Sequence, residues 1–333
     1  FASFVRHTRA ARRYRGAARV AAADPPTFDT LTATVPIAVV TFQFDPSAQF
    51  GDLVVRWGTI ALVVAILAAL VLAGVLARGG GLRQDDVTFV AIGIVPGAVI
   101  GGRLGYLVLH PNTFGSVPGA LLDPRMGGLE LGLAVVGGFI TGTYVASLLG
   151  TPVGRWLHVA MAPTLFVLGA GKLTMVLTGT GQGSPSDGDW ATRYLGPGPW
   201  GSLLPALPSI PSQAWEGIAT LAILTGLTLV LMVGAFRRRD GSVFFVGIGL
   251  WALARALVST TWRDPVVAAG LNAGGLVAIG IAASCLLAGV VLVVRNRMAG
   301  PVVVDAAGNI VRVKDVPPTT EVAWPDPESR PRF

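Results

Sequence analysis

The stretch LFVLGAGKLTMVLTG, Leu165 to Gly179, is apolar almost throughout and carries Lys172 at its centre. It reads as part of a membrane span, and a charge in the middle of a span costs at least about 2.5–3.5 kcal/mol on insertion scales. Ionisable side chains at that depth face a partner or an interior cavity. The reading of the chain turns on whether Lys172 has such company.

The 333 residues are 52% hydrophobic and 13% charged, whereas a soluble domain carries about 25% charged residues. Seven apolar runs are long enough to cross a bilayer, at about 57–77, 88–109, 128–149, 157–179, 215–235, 243–261 and 267–294. The expected fold is therefore an all-α integral membrane protein with seven transmembrane helices. A basic extension, 1–50, precedes the membrane domain, 51–298, and a tail, 299–333, follows it. No secretory signal peptide is expected, because no apolar segment directly follows the arginines of the first twenty residues. Within the extension, TVPIAVVTF (34–42) is too short to cross, and suits an interfacial segment or a paired strand. In the tail, the residues flanking Gly308 and Asn309 suit a small hairpin. Cys285 stands alone, which excludes an internal disulfide and a cysteine-based metal site. No metal, cofactor or nucleic-acid partner is expected.

Arginines set the orientation. Arg78, Arg83, Arg155, Arg237, Arg238, Arg239, Arg295 and Arg297 fall in one set of loops and the tail, which is then cytoplasmic. The alternate loops hold Arg125, Arg193 and Arg263, so the amino terminus is expected outside and the carboxyl terminus inside. The 180–214 loop, rich in Gly, Pro, Ser and Trp, is then extracytoplasmic and suits a lid or binding element.

Several polar residues share the depth of Lys172. Arg103 ends the second span, Glu130 begins the third, Gln213 and Glu216 open the fifth, and Arg255 lies in the sixth with Arg263 beyond it. With the orientation above they converge on the outer leaflet. Three cations with one or two acids make a net-positive site suited to an anion such as a lipid phosphate, which Arg binds through planar paired donors and Lys as a point charge. Internal pairing, such as Glu216 with Arg255, is the competing reading. The glycine pairs and GAG (169–171) suit close helix packing.

The blocks GGRLGYLVLH, GGLELGLA, LGAGKLTMVLTGTGQG, PSQAWEG and LWALARALVSTTWRDP, in that order, resemble prolipoprotein diacylglyceryl transferases from about residue 44 to 295. The resemblance implies seven spans, amino terminus outside, in a bacterial plasma membrane. It also implies transfer of diacylglycerol from phosphatidylglycerol to a lipobox cysteine thiol. Residue by residue, it assigns Arg103 and Tyr106 to the family's GRxGY block, and Gln213 and Glu216 to its PSQ-x-x-E block. Arg255 matches an essential arginine, Lys172 stands where the family has another arginine, and Gly183 follows the long block. Losses accompany these matches. Gly132 stands for a histidine, Ile210 for another histidine, and Ser259 and Thr180 for acids. Trp215 and Trp251 stand for tyrosines, Met175 for an asparagine, and Gly58 occupies a tyrosine position. His110 follows the GRLGY block, while His158 falls on the opposite side of the membrane.

The resemblance thus implies Lys172, Arg255 and Glu216 as the catalytic set, with Arg103, Tyr106, Gln213, Arg263 and Gly183 binding a phosphatidylglycerol-like lipid. The losses favour an impaired member, a pseudoenzyme acting as a lipid-binding or accessory subunit beside other membrane subunits. An active divergent transferase of lipoprotein biosynthesis is the alternative. An anion transporter is a third class, opposed by the lack of an inverted repeat.

Overall fold

The computed structural model describes residues 39–111, 128–236, 238–298, 302–304 and 310–312. The basic amino-terminal arm, most of the 110–127 loop and most of the tail lie outside the described residues. Strands β1 (Val40–Phe42), β2 (Ser47–Phe50) and β3 (Leu53–Arg56) lead into helices α1 (Trp57–Gly79), α2 (Gln84–Leu109), α3 (Leu131–Leu148) and α4 (Val153–Thr174). A 3-10 turn (Met175–Thr178) and strand β4 (Thr192–Tyr194) follow, then α5 (Ser212–Met232) and α6 (Ser242–Ser259). A short hairpin of β5 (Val266–Ala268) and β6 (Leu271–Asn272) precedes α7 (Ala273–Met298). Strands β7 (Val302–Val304) and β8 (Ile310–Arg312) pair antiparallel, as the tail hairpin requires. Seven helices among the described residues are long and apolar enough to span a bilayer.

The expected boundaries shift where hydropathy could not see backbone turns. The seventh span does not begin at 267, because Ala269 and Gly270 adopt positive φ and fold 266–272 into a hairpin. Asn272 then caps α7, its Oδ1 accepting the Gly275 amide at 2.8 Å. The third span begins after Glu130 rather than at 128. The Glu130 carboxylate accepts the Gly132 and Leu133 amides at 2.8 and 2.6 Å, satisfying two orphan donors of the helix start. Helix α4 starts at 153, just after Pro152, and ends in the 3-10 turn.

Successive helices alternate in direction and give the bundle two ends. At one, the arginine end, lie Arg78, Arg83, Arg155, Arg238, Arg239 and Arg295, with Arg239 Nη1 3.5 Å from Gly79 O. At the other, the loop end, lie Glu130, the 3-10 turn, the 180–211 loop and the hairpin 266–272. That loop is tied down. Gly183 and Ile210 bond across its base, Thr192 and Ser209 exchange amide hydrogen bonds, and the Ser184 amide reaches Thr261 O at 2.8 Å. Strand β1 pairs in parallel with β4 and stacks Phe42 on Tyr194, so part of the predicted 34–42 segment is a strand of this loop layer.

A core of Met161, Leu165, Leu227, Val243, Phe244, Ile248, Trp251 and Ile281 joins α4, α5, α6 and α7. Helices α2 and α3 meet through glycine instead. A Cβ at Gly137 would collide with Gly97 O, and one at Gly97 with Gly137 O and Thr141. Such backbone approach is what small residues permit in a membrane, where no hydrophobic force drives helices together. Gly137→Val should therefore destabilise the fold by about 1–3 kcal/mol, the usual range for overpacking. Gly280→Ala, with open space around it, should be silent; thermal melts of both in detergent check this.

Candidate functional site

The loop end gathers four charges from four helices. Lys172 Nζ lies 2.8 Å from Glu216 Oε2, and Arg255 Nη1 lies 2.6 Å from Glu216 Oε1. Arg255 Nη2 lies 3.2 Å from Glu130 Oε1. The result is one continuous chain, Lys172–Glu216–Arg255–Glu130. Helix polarity suits it: Lys172 and Arg255 sit in or near the last turns of α4 and α6. Glu130 and Glu216 sit at or near the first turns of α3 and α5. Cations are favoured at helix carboxyl ends and carboxylates at amino ends.

The expected net-positive site is not what this cluster forms. Two cations meet two carboxylates, and the pairing of Glu216 with Arg255 is realised. Burial explains the balance, since a charge withdrawn from water costs several kcal/mol unless it is paired. Glu216 and Arg255 side chains are 1% and 6% exposed, whereas Lys172 retains 14%. Of the two cations in this network, Lys172 is therefore the more accessible. Trp262 lies beside both cations, with Arg255 Cζ 4.7 Å and Lys172 Nζ 5.7 Å from its ring centroid.

Apart from Gln213, the remaining expected residues fall into two groups. Arg103 Nη1 lies 3.4 Å from Gly128 O, and Tyr106, one turn on, stacks on His110 at 4.1 Å. These form a group beside α3, where Gly105 packs on Glu130. Arg263 and Gly183 belong to the loop base. Arg263 Nε donates to Gly183 O at 2.7 Å and Nη2 to Ser209 Oγ at 2.8 Å, so this arginine straps the loop. Gln213 belongs to neither group: one turn before Glu216, it is buried and donates to the Tyr194 hydroxyl at 3.4 Å. Burial pushes Tyr194 up to about 12, so it stays neutral at physiological pH. His158 lies near the arginine end, far along α4 from Lys172.

The positions where the sequence departs from its resemblance are tightly filled. A Cβ at Gly132 would sit 3.1 Å from Ile281 and Val277 of α7 and 3.2 Å from Glu130 Oε1. Ser259 donates to Ala256 O at 2.7 Å, and its hydroxyl abuts Gly275. Thr180 shares a 2.9 Å hydrogen bond with Thr178 beneath Gly201. A Cβ at Gly58 would lie 2.6 Å from Thr178 Cγ2. The full role of Glu130, the cap by Asn272 and the place of Trp262 were not legible in the sequence. For Glu130, the signal was an acid immediately preceding a helical run, hidden by setting the span boundary at 128.

Two substitutions separate the network from the strap. Glu216→Gln leaves two buried cations short of a partner and should cost about 3–5 kcal/mol, read as a lowered melting temperature in detergent. Arg263→Ala should leave that melt far less changed, while limited proteolysis within 184–209 accelerates.

Comparison with known proteins identifies the family. Residues 47–295 match the family described as prolipoprotein diacylglyceryl transferase. A phosphatidylglycerol–prolipoprotein diacylglyceryl transferase of Geobacter sulfurreducens is 32% identical over 234 residues, covering 68% of this chain and 84% of that protein. One of Burkholderia ambifaria is 30% identical over 303 residues, covering 78% and 97%. The chain belongs to the prolipoprotein diacylglyceryl transferase family, and it is a multi-pass membrane protein.

Proposed function

With membership of that family as the premise, we propose that this chain binds an anionic, phosphatidylglycerol-like phospholipid at the loop end of its bundle. On this reading it acts as a lipid-binding accessory subunit of a membrane complex and is a poor transferase. The observation that carries the reading is the closed chain Lys172–Glu216–Arg255–Glu130. Transfer to a thiol needs a base to take the proton and cations to neutralise the departing phosphate. Here both carboxylates already serve the cations, and Gly132, Ser259 and Thr180 are packed where the family pattern carries titratable groups. The exposed edge of Lys172 still offers a phosphate one ammonium.

The arginine end is cytoplasmic on this reading, with the loop end and amino terminus outside, in a bacterial plasma membrane. Gln213, Tyr106 and Arg103 line the approach to the headgroup, and Arg263 with Gly183 holds the loop above it. The basic arm and the tail are the surfaces offered to other subunits.

A second reading, an active divergent transferase with Lys172, Arg255 and Glu216 at its centre, is favoured by the names of the relatives. One experiment separates the two. The purified protein is extracted from membranes of mixed phosphatidylglycerol and phosphatidylcholine, its retained lipid is weighed by mass spectrometry, and a lipobox peptide is then supplied. Enrichment of phosphatidylglycerol without peptide modification is expected. Lys172→Ala should reduce that enrichment roughly five- to tenfold, the scale of about 1 kcal/mol for one cation at an anionic surface. Peptide modification that vanishes in Arg255→Ala would establish the transferase, and an absence of enrichment would remove the lipid-binding reading.

A further inference from the structure

Trp262 lies within the last of the blocks that carry the resemblance, but the residue-by-residue matches assign it no role and the reading just given does not use it. It follows α6 and is held on three sides. Its amide donates to Ser259 O at 3.1 Å, its carbonyl accepts the Ser184 hydroxyl at 3.1 Å, and its ring lies so close to Gly274 that a Cβ there would be 2.8 Å from Cζ3. The indole is thereby fixed against the ends of α6 and α7 and the base of the loop. Beside this fixed ring stand the only two cations of the network.

Lys172 and Arg255 share one carboxylate, so Glu216 draws two like charges towards each other. Their repulsion opposes that arrangement in a medium of low dielectric. An aromatic face, negative at its centre, attracts each cation and is strongest in tryptophan. The choice of lysine fits the same arrangement. Of the 25 Lys and Arg residues, only Lys172 and Lys314 are lysines. A compact ammonium reaches Glu216 Oε2 at 2.8 Å while standing beside the indole, where a planar guanidinium would present a broader group.

We infer that Trp262 is a positioning residue whose π-face holds the Lys172 ammonium and the Arg255 guanidinium in register on Glu216. It thereby sets the charge that an anionic headgroup meets. Only this last consequence rests on the lipid-binding reading; the placement of Lys172 does not.

The two lysines make a direct test possible. Protein labelled with [13C]lysine, in nanodiscs, gives two side-chain ε-methylene signals, from Lys172 and Lys314. The Lys172 signal should be displaced upfield by the indole ring current. It should stay displaced in Trp262→Phe and return towards the Lys314 position in Trp262→Leu. Fluorinated tryptophans placed at position 262 alone keep the shape and weaken the ring quadrupole. Phosphatidylglycerol enrichment should fall stepwise with each added fluorine, and roughly three- to tenfold in Trp262→Leu. An undisplaced Lys172 signal, equal losses in the Phe and Leu variants, or no change along the fluorine series would each overturn the inference. If the wild-type protein shows no phosphatidylglycerol enrichment, the lipid reading fails, while the Lys172 signal still decides the role of Trp262.

Discussion

Glu216 holds two cations from two different helices, and the loop end of the bundle is organised around that one carboxylate. Antiparallel succession brings the carboxyl ends of α4 and α6 beside the amino ends of α3 and α5. Each helix then contributes the sign of charge that its own dipole favours. The network is thus assembled from local preferences that agree with the global arrangement, which is the condition for a single well-defined packing. Glu130 shows the economy of the result. One carboxylate caps α3 through two amides and also closes the ionic chain on Arg255.

Much of this was legible in the sequence because membrane spans are long and uniformly apolar. Seven runs gave seven helices, and the arginines of alternate loops gave one common end. What hydropathy could not resolve were short backbone events. VVAAGL (266–271) reads as the start of a span, yet two consecutive positive-φ residues make it a hairpin. The site was legible as a set of residues at one depth, but not as a set of pairs. Depth follows from position along a helix; pairing depends on helix rotation and crossing, which periodicity in an almost wholly apolar helix does not encode. Hence Lys172, Glu216 and Arg255 were grouped together, while the charge balance came out differently. Arg263 illustrates the same gap. Its sequence position puts it beside the site, but its donors are used on Gly183 and Ser209.

The departures from the family pattern are linked through space. Gly132 and Ser259 are distant in sequence, yet α7 closes on both, through Val277 and Ile281 on one and Gly275 on the other. Thr180 and Gly58 both lie against the 3-10 turn region at Thr178. In this chain the sites of the lost polar side chains are occupied by close helix contacts. Restoring a histidine at 132 alone would press on Ile281, Val277 and Glu130 together.

The parallel pairing of β1 with β4 couples distant parts of the chain. Strand β1 precedes the first helix in sequence, yet its hydrogen bonds are made with the layer that roofs the ionic chain. Tension on the polypeptide upstream of Val40 is consequently delivered to that roof directly, without passing through any helix. The amino-terminal strand is thus a tether on the loop layer, anchored there by its pairing with β4 and not by any helix.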